Sequence, residues 1–249
     1  MRLIYKEHQG ISYQKYEFPY CIYAIKEPTD RYVDLYSKGF LPYTNDFSIN
    51  DEIYYLARSV RIDLQQETLF NYKQKNLFNK LRNLFPDNEI TIILVDKERF
   101  INDPIFIQWC IVYAKDHFLT EERLQYILSR PYLRQIMQIW HKDRLLANLF
   151  PISEDEEFFH IWFNFYDTTI NQSDFGKWIL LQTLLYAKQA GYKHYYIGTC
   201  YGNKAFYKLT LSPHTSYFNG EGWDLNIEKL KKIIISSLGN DLFFIPCVW

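Results

Sequence analysis

The fold is decided by the stretch from 158 to 223, which continues from FFHIWFNFYDTTINQSDFGKWILLQTLLYAKQA (158–190) into GYKHYYIGTCYGNKAFYKLTLSPHTSYFNGEGW (191–223). The aromatic start predicts a strand, and a polar turn separates it from a helix over 177–190. That helix has apolar residues on one face and stops at Gly191, which is a common C-terminal signal. A second strand is predicted over 193–198, and a short helix or turn over 203–208. Strand, helix and strand in this order predict an α/β fold.

The rest of the chain continues the alternation of strands and helices. Further strands are predicted at 21–26 and 90–95, and the segment 54–64 is predicted to be a strand pair or one long strand. Further helices are predicted at 32–37, 68–84 and 105–118. The apolar run 90–95 is expected to be buried on both faces of a sheet. Pro104 is expected to open the helix over 105–118, in which Cys110 is expected to be a core residue, and Thr120 to cap another helix. Two strands over 143–155 and 156–167 are expected to form a hairpin around an acidic turn. Pro131 predicts the start of a helix that continues to about Trp140. We therefore expect a mixed sheet, with a smaller N-terminal lobe over 1–95 and a second domain over 96–249.

Composition and charge limit the kinds of partner. The formal net charge is −1, which gives no global basic surface for nucleic acid. The end of a tRNA needs only a local patch, and two clusters of basic residues could form one: Lys73, Lys75, Lys80 and Arg82, and Arg130, Arg134, Lys142 and Arg144. Basic clusters of this kind are more often solvated helix faces. Aromatic residues make up 19% of the chain, and most are expected to fill its core.

Cysteine and histidine spacing gives no support for a metal site. The four cysteines, at 21, 110, 200 and 247, are far apart, and the histidines show no paired spacing. This cysteine usage fits a reducing compartment. The first residues contain no apolar signal segment, and no stretch approaches the roughly 18 apolar residues of a membrane span. The sequence thus predicts a soluble, cytoplasmic protein without metal.

The turn before the helix at 177 is the first candidate site. Ser173, Asp174 and Gly176 immediately precede Lys177. The start of a helix offers free N–H groups that suit a phosphate, and a glycine lets the backbone approach a ligand closely. Asp174 carries the wrong charge for a phosphate, and the alternative is an ordinary helix capped by Ser173 or Asp174.

Tyr207 and Lys208 form the second candidate site. A lysine in a polar turn could hold a phosphate or polarise a carbonyl, and a tyrosine hydroxyl could pass a proton to a leaving oxygen. The alternative is a helix end with Tyr207 packed and Lys208 solvated. No GxSxG, HExxH or phosphate-loop sequence is present, which argues against several hydrolase and nucleoside-triphosphatase classes.

The ordered combination resembles the arginyl- and leucyl-tRNA–protein transferases of the N-degron pathway, which have a GNAT-type acyltransferase fold. The matching segments are FNFYD (163–167), the Ser-x-x-Gly turn at 173–176, the helix ending at Gly191, YYIG (195–198), Tyr207-Lys208, Pro213 and Trp223, with YSKGF (36–40) and RSVRIDL (58–64) as a weaker echo. The family has a cysteine cluster where this chain has LPYTNDFSINDEIYYLA (41–57). Before the Tyr-Lys pair, Lys204 matches the family pattern, whereas Ala205 replaces its methionine.

The resemblance implies amide formation between an amine acceptor, a protein N-terminus, and the amino acid esterified to a tRNA. It implies no cofactor beyond aminoacyl-tRNA as co-substrate. Tyr207, Lys208 and Asp167 are the implied catalytic residues. The implied substrate-binding residues are Arg61, Ser173, Phe175, Gly176, Lys177 and Trp223. Two alternatives stay open on the same fold: an N-acetyltransferase that uses acetyl-coenzyme A, and a binding module without catalysis.

Overall fold

The computed structural model describes residues 1–7, 20–46, 48–114 and 119–239. The strands are β1 Arg2–Glu7, β2 Tyr20–Ile25, β3 Phe40–Pro42, β4 Ile53–Leu56, β5 Ser59–Asp63, β6 Ile90–Asp96, β7 Gln135–His141, β8 Arg144–Glu154, β9 Phe158–Tyr166, β10 His194–Thr199, β11 Thr215–Phe218 and β12 Trp223–Asp224. The α-helices are α1 Tyr32–Ser37, α2 Tyr72–Arg82, α3 Pro104–Tyr113, α4 Glu121–Leu128, α5 Phe175–Gln189 and α6 Ile227–Gly239. Short 3-10 helices cover Asp87–Glu89, Lys97–Arg99 and Asn203–Thr210.

The chain forms two compact units that are not continuous in sequence. The first unit comprises Met1–Asp63, Tyr196–Thr210 and His214–Trp249, and the second comprises Leu64–Tyr195 and Leu211–Pro213. Strand β10 contributes its first two residues to the second unit and its other residues to the first. The predicted boundary between 95 and 96 lies inside the second unit, and the division into domains at that point stays a prediction.

The first unit contains a small antiparallel sheet with the strand order β1-β2-β4-β3, and a second set of strands in the order β12-β11-β5-β10. The segment 54–64 is therefore a strand pair, one of its two predicted forms, and β4 and β5 belong to different sheets. Tyr36 of α1 is buried and packs edge-on against Tyr196 of β10, with ring centroids 5.0 Å apart. The predicted strand at 21–26 and helix at 32–37 are confirmed as β2 and α1.

In the second unit the strands follow the order β9-β8-β7-β6, and the start of β10 lies beside β9. Strands β6 to β9 are antiparallel neighbours, whereas β9 and β10 are joined through α5, a crossover of the kind that parallel strands require. The sheet is thus mixed, and the predicted α/β class is confirmed. The hairpin of β8 and β9 and the helix before Gly191 are also confirmed.

One face of this sheet carries the apolar core of the second unit. Helices α3 and α4 pack on it, and the buried cluster includes Phe106, Cys110, Leu124, Ile136 and Phe150. The expectation that Cys110 is a core residue is confirmed. Both helices begin where the sequence predicts, because Pro104 occupies the first turn of α3 and the Thr120 side chain accepts a hydrogen bond from the N–H of Arg123 at 3.2 Å.

Two sequence-based predictions are wrong. The helix predicted from Pro131 is strand β7, which pairs with β6 on one side and β8 on the other. The segment 90–95 is a strand, but it is not buried on both faces, because β6 lies at the end of the strand order and Ile93 is 40% exposed. The end of the helix predicted to reach 118, and Cys247, lie outside the described residues.

Candidate active site

Lys208 is held against the end of a strand in the first unit. The 3-10 helix Asn203–Thr210 follows β10 and turns back, so that Nζ of Lys208 donates a hydrogen bond to the carbonyl oxygen of Thr199 at 2.9 Å. Gly198 has a φ of +83°, and a Cβ at this position would lie 3.5 Å from that Nζ. The positive φ favours glycine at the point where the strand ends. The predicted short helix or turn is thus confirmed, and it turns the lysine inward.

Lys208 is half-buried, and among the described residues its amine has no carboxylate partner. Burial lowers its pKa to about 8, and the proximity of Cys200 offsets only part of this effect. An ammonium has three N–H donors, and within the described residues the carbonyl of Thr199 is its single hydrogen-bond acceptor. The expectation of a merely solvated lysine therefore does not hold. A buried amine with a shifted pKa and unused donors is characteristic of functional sites.

Tyr207 and Cys200 flank this lysine. Tyr207 lies in the same 3-10 helix, half-buried, and its carbonyl oxygen accepts a hydrogen bond from Oγ1 of Thr210 at 2.9 Å. Its role as a proton donor stays a prediction. Cys200 is fully buried, and burial raises the pKa of its thiol to about 11 despite the nearby Lys208 and Arg58. The thiol is therefore protonated at neutral pH, which is unfavourable for a nucleophile.

Arg61 and Trp223, predicted separately as substrate-binding residues, are in contact in the first unit. The guanidinium carbon of Arg61 lies 4.0 Å from the centroid of the Trp223 ring, a cation–π geometry. Nη1 of Arg61 donates a hydrogen bond to the hydroxyl of Tyr196 at 3.4 Å. The indole N–H of Trp223 donates to the carbonyl oxygen of Ser37 at 2.8 Å, which fixes the ring. The guanidinium is thus oriented by aromatic groups.

Arg61 is available to an anion. It is partly exposed, and among the described residues no carboxylate forms an ion pair with it. Guanidinium groups held flat on an aromatic ring retain donors that match carboxylate and phosphate. The sequence predicts only that Tyr196 lies in a strand. Its position in YYIG (195–198) and the alternation along β10 are the signals that could have identified it as a site residue.

Asp167, which follows β9 in the second unit, is surrounded by donors. Its oxygens accept hydrogen bonds from Nη2 of Arg144 at 2.6 Å, from the hydroxyl of Tyr113 at 3.0 Å and from the N–H of Thr169 at 2.9 Å. Burial would raise its pKa, but the bonds from Thr169 and Arg144 outweigh burial and hold the pKa below its ordinary value. These contacts favour a permanent, structural anion, and the catalytic role of Asp167 stays a prediction.

The start of α5 lacks the side-chain cap that the sequence predicted at Ser173 or Asp174. Asp174 occupies the N-cap position with a φ of +69°, yet its side chain makes no capping hydrogen bond and instead pairs with Nζ of Lys177 at 2.6 Å. Oγ of Ser173 accepts a hydrogen bond from Nζ of Lys80 at 2.7 Å. One lysine of the basic cluster on α2 thus contacts the predicted donor-binding turn, within the same unit.

Phe175 and Gly176 are placed by packing. Phe175 is 2% exposed and packs against Trp178 and Phe85, with ring centroids 5.7 and 5.5 Å away. A Cβ at Gly176 would lie 2.9 Å from Cζ and Oη of Tyr166, so a larger residue would collide with that side chain. The absence of a side chain at 176 is therefore explained by the approach of a tyrosine, and substrate binding by these two residues stays a prediction.

The predicted residues thus fall into two groups, one in each unit. The first unit contains Tyr207 and Lys208 in one turn, and Arg61 in contact with Trp223. The second contains Asp167 in its cluster of donors, and the segment Ser173–Lys177 at the start of α5. The described residues contain no group of three or more His, Cys, Asp or Glu side chains that could hold a metal ion. None of the described helices is long and apolar enough to cross a membrane.

No family model matches the sequence, and no curated protein matches it. Among solved structures, the chain is similar to the C-terminal domain of a putative lysylphosphatidylglycerol synthetase from Agrobacterium fabrum, with 13% identity, a TM-score of 0.47, and coverage of 73% of this chain and 64% of that one. It is also similar to L-PGS from Bacillus licheniformis, with 14% identity, a TM-score of 0.42, and coverage of 58% and 46%.

A third similar structure is an aminoglycoside acetyltransferase from an uncultured soil metagenomic sample, with 16% identity and a TM-score of 0.33. The match covers 49% of this chain and 84% of that one. The chain spans about half to two thirds of the length of the first two structures. At these TM-scores the likeness assigns neither an activity nor a substrate to this chain.

Proposed function

We propose that this protein transfers an amino acid from an aminoacyl-tRNA to an amine acceptor, with a protein N-terminus as the acceptor. The observation that carries the proposal is the amine of Lys208, which is buried beside the end of β10 and, within the described residues, bonded to the carbonyl of Thr199 alone. The order of sequence motifs around the Tyr-Lys pair supports the same reaction class. The finer choice of acceptor rests on the sequence resemblance.

The reaction needs little covalent chemistry from the protein, because the ester is already activated. The acceptor nitrogen attacks the ester carbonyl carbon and gives a tetrahedral intermediate with a negative oxygen. The C–N bond remains, the C–O bond to the ribose breaks, the nitrogen loses a proton, and the ribose oxygen gains one. Positioning of both substrates and stabilisation of the negative oxygen are the two effects that lower this barrier.

Lys208 would stabilise the negative oxygen. In its ammonium form it has donors that the described part of the protein does not use, and a fixed cation in a water-poor environment stabilises developing charge strongly. A pKa of about 8 means that most of the molecules carry the charged form at neutral pH. Tyr207, the adjacent residue, would pass a proton to the leaving ribose oxygen.

Arg61 would bind the acceptor through an anionic group. Its guanidinium is oriented by Trp223 and Tyr196 and lacks a carboxylate partner among the described residues. An acidic residue at the acceptor N-terminus would supply the missing carboxylate. Lys177 at the start of α5, and Lys80 of α2, whose amine contacts Ser173, would attract phosphates of the donor tRNA.

The test is transfer of radiolabel from a mixture of charged aminoacyl-tRNAs to peptides that differ only in their N-terminal residue. We expect transfer to peptides with an acidic N-terminal residue, and its loss when the peptide N-terminus is acetylated. If no donor gives transfer to any peptide, the proposal is wrong. Saturable binding of acetyl-coenzyme A, measured by calorimetry in the same samples, would instead support acetyl transfer.

A further inference from the structure

A cavity of about 300 Å³ lies in the second unit, beside strands β6 to β9. This volume is at the lower end of the range of small-molecule sites. Four residues give it an apolar surface: Leu94, Tyr132, Pro151 and Phe159. Four polar residues also line it: Asp96, Arg134, Gln135 and Ser153. Of the residues that line the cavity, none belongs to the site described above.

The polar groups of this cavity have hydrogen-bonding capacity that the described part of the protein does not use. Among the described residues, the side chains of Arg134, Gln135 and Ser153 make no hydrogen bond or ion pair. The carboxylate of Asp96 accepts one hydrogen bond, from the N–H of Glu98 at 3.2 Å. Polar groups that converge on an apolar surface, and that have no partner of their own, are the usual composition of a ligand site.

Opposite charges line the same cavity without pairing with each other. The backbones at Asp96 and Arg134 are neighbours, because the N–H of Lys97 donates to the carbonyl of Arg134 at 3.1 Å. Even so, no ion pair joins the carboxylate of Asp96 to the guanidinium of Arg134. A ligand that carries both charges a few ångströms apart would satisfy both side chains at once.

We propose that this cavity binds a free α-amino acid with an apolar side chain. Its carboxylate would accept hydrogen bonds from Arg134, and its ammonium would donate to Asp96. Its side chain would lie on Pro151, Phe159 and Tyr132. The proposal is independent of the aminoacyl-transfer activity, because the residues that carry it take no part in that reaction.

The test is calorimetric titration of the whole protein with L-phenylalanine, with 3-phenylpropionate and phenethylamine as analogues that each lack one charge. We expect saturable binding of L-phenylalanine with one site per chain. We expect each analogue to bind at least about tenfold more weakly, since a charge-assisted hydrogen bond contributes roughly that factor. Absence of saturable binding of L-phenylalanine, or binding of either analogue as tight as that of L-phenylalanine, would overturn the proposal.

Substitutions of the residues that line the cavity test whether the ligand binds there. Arg134→Gln should weaken binding of L-phenylalanine at least about tenfold, and Asp96→Asn should do the same while it keeps an acceptor for the N–H of Glu98. Arg99→Gln is the matched control, because Arg99 is also exposed but does not line the cavity. Unchanged melting temperatures would show that the variants fold. Equal weakening by Arg99→Gln, or full binding by Arg134→Gln, contradicts the placement.

Discussion

The guanidinium carbon of Arg61 lies over the indole of Trp223, 4.0 Å from the ring centroid, and Trp223 is itself fixed by a hydrogen bond to the backbone of Ser37. The two residues come from β5 and β12, which are separated by β11 in the strand order. The contact therefore depends on sheet formation and not on any local motif. It gives the first unit an oriented cation that can bind an acidic group.

Replacing Arg61 by glutamine tests that role. Arg61→Gln should raise the KM for a peptide with an N-terminal aspartate by about tenfold or more, because a charge-assisted hydrogen bond contributes roughly 1.5–3 kcal/mol. The KM for a peptide with an N-terminal alanine should change much less, since that peptide offers no carboxylate at this position. Steady-state transfer assays with both peptides measure the difference. An equal rise in KM for both peptides would mean that Arg61 does not bind the N-terminal side chain of the acceptor.

Gly176 is predicted to be required by packing. Gly176→Ala places a methyl group 2.9 Å from Cζ and Oη at the outer end of the Tyr166 ring and should destabilise the protein by about 1 kcal/mol, the lower end of the cost of overpacking, because the ring end can shift. Urea denaturation gives the free energy of unfolding. Gly202→Ala is the matched control, because no atom lies within 4 Å of a Cβ built there. If Gly176→Ala lowered the free energy of unfolding as much in a Tyr166→Leu background as in the wild type, the collision would not explain the loss.

Asp167 is predicted to stabilise the fold as an ionised group. Because its pKa is lower in the folded protein, its contribution is present above the unfolded pKa of about 3.9 and is lost as the pH falls through the folded pKa. Asp167→Asn should therefore lower the free energy of unfolding at pH 7 by about 1–3 kcal/mol. It should also flatten the loss of stability in acid.

Denaturation curves between pH 3 and 7 measure both effects of Asp167→Asn. The matched control is Asp143→Asn, because Asp143 is exposed and close in sequence to Arg144. If Asp167→Asn were as stable as the control at pH 7, the interpretation of Asp167 as a structural anion would be wrong. A fall in transfer rate without any loss of stability would instead favour a catalytic role.

Sequence patterns predicted those elements whose signals are local. The cap at Thr120, the proline in the first turn of α3 and the stop at Gly191 depend on neighbouring residues, and the helices they bound are confirmed. The helix predicted from Pro131 is wrong because Ile136, Met137 and Ile139 fit a short apolar run of either kind. The segment forms strand β7 because it pairs with β6 on one side and β8 on the other.

The site was less predictable, because its contacts join distant parts of the sequence. The Tyr-Lys pair predicts Lys208 as a catalytic residue, but nothing in that pair predicts the hydrogen bond from its amine to the carbonyl of Thr199. The donors around Asp167 come from three different segments, and Tyr113 and Thr169 gave no signal of their own. For Lys80 and Arg144 the sequence predicts only membership of two basic clusters, and not their contacts with Ser173 and Asp167.

The lowered pKa of Lys208 predicts a specific dependence of stability on pH. Because its folded pKa of about 8 lies below the ordinary value, the unfolded chain binds more protons between the two values. The buried charge is therefore unfavourable below pH 8, and stability should rise as the pH increases above 8. Relative to Lys208→Met, which lacks the charge, the wild type should gain about 1.5 kcal/mol between pH 8 and 9.5. A constant difference in unfolding free energy over this range would contradict a lowered pKa.

The most direct test of the central claim is the rate of aminoacyl transfer by Lys208→Met at pH 7. This variant keeps the apolar volume of the lysine and removes only the buried amine, so the protein should remain folded, with a melting temperature equal to or above that of the wild type. The transfer rate should fall by about 10²–10³-fold, the cost of removing one donor to a developing oxyanion. The control Lys232→Ala removes an exposed lysine of helix α6 and should leave the rate unchanged. Wild-type transfer by Lys208→Met would contradict the claim.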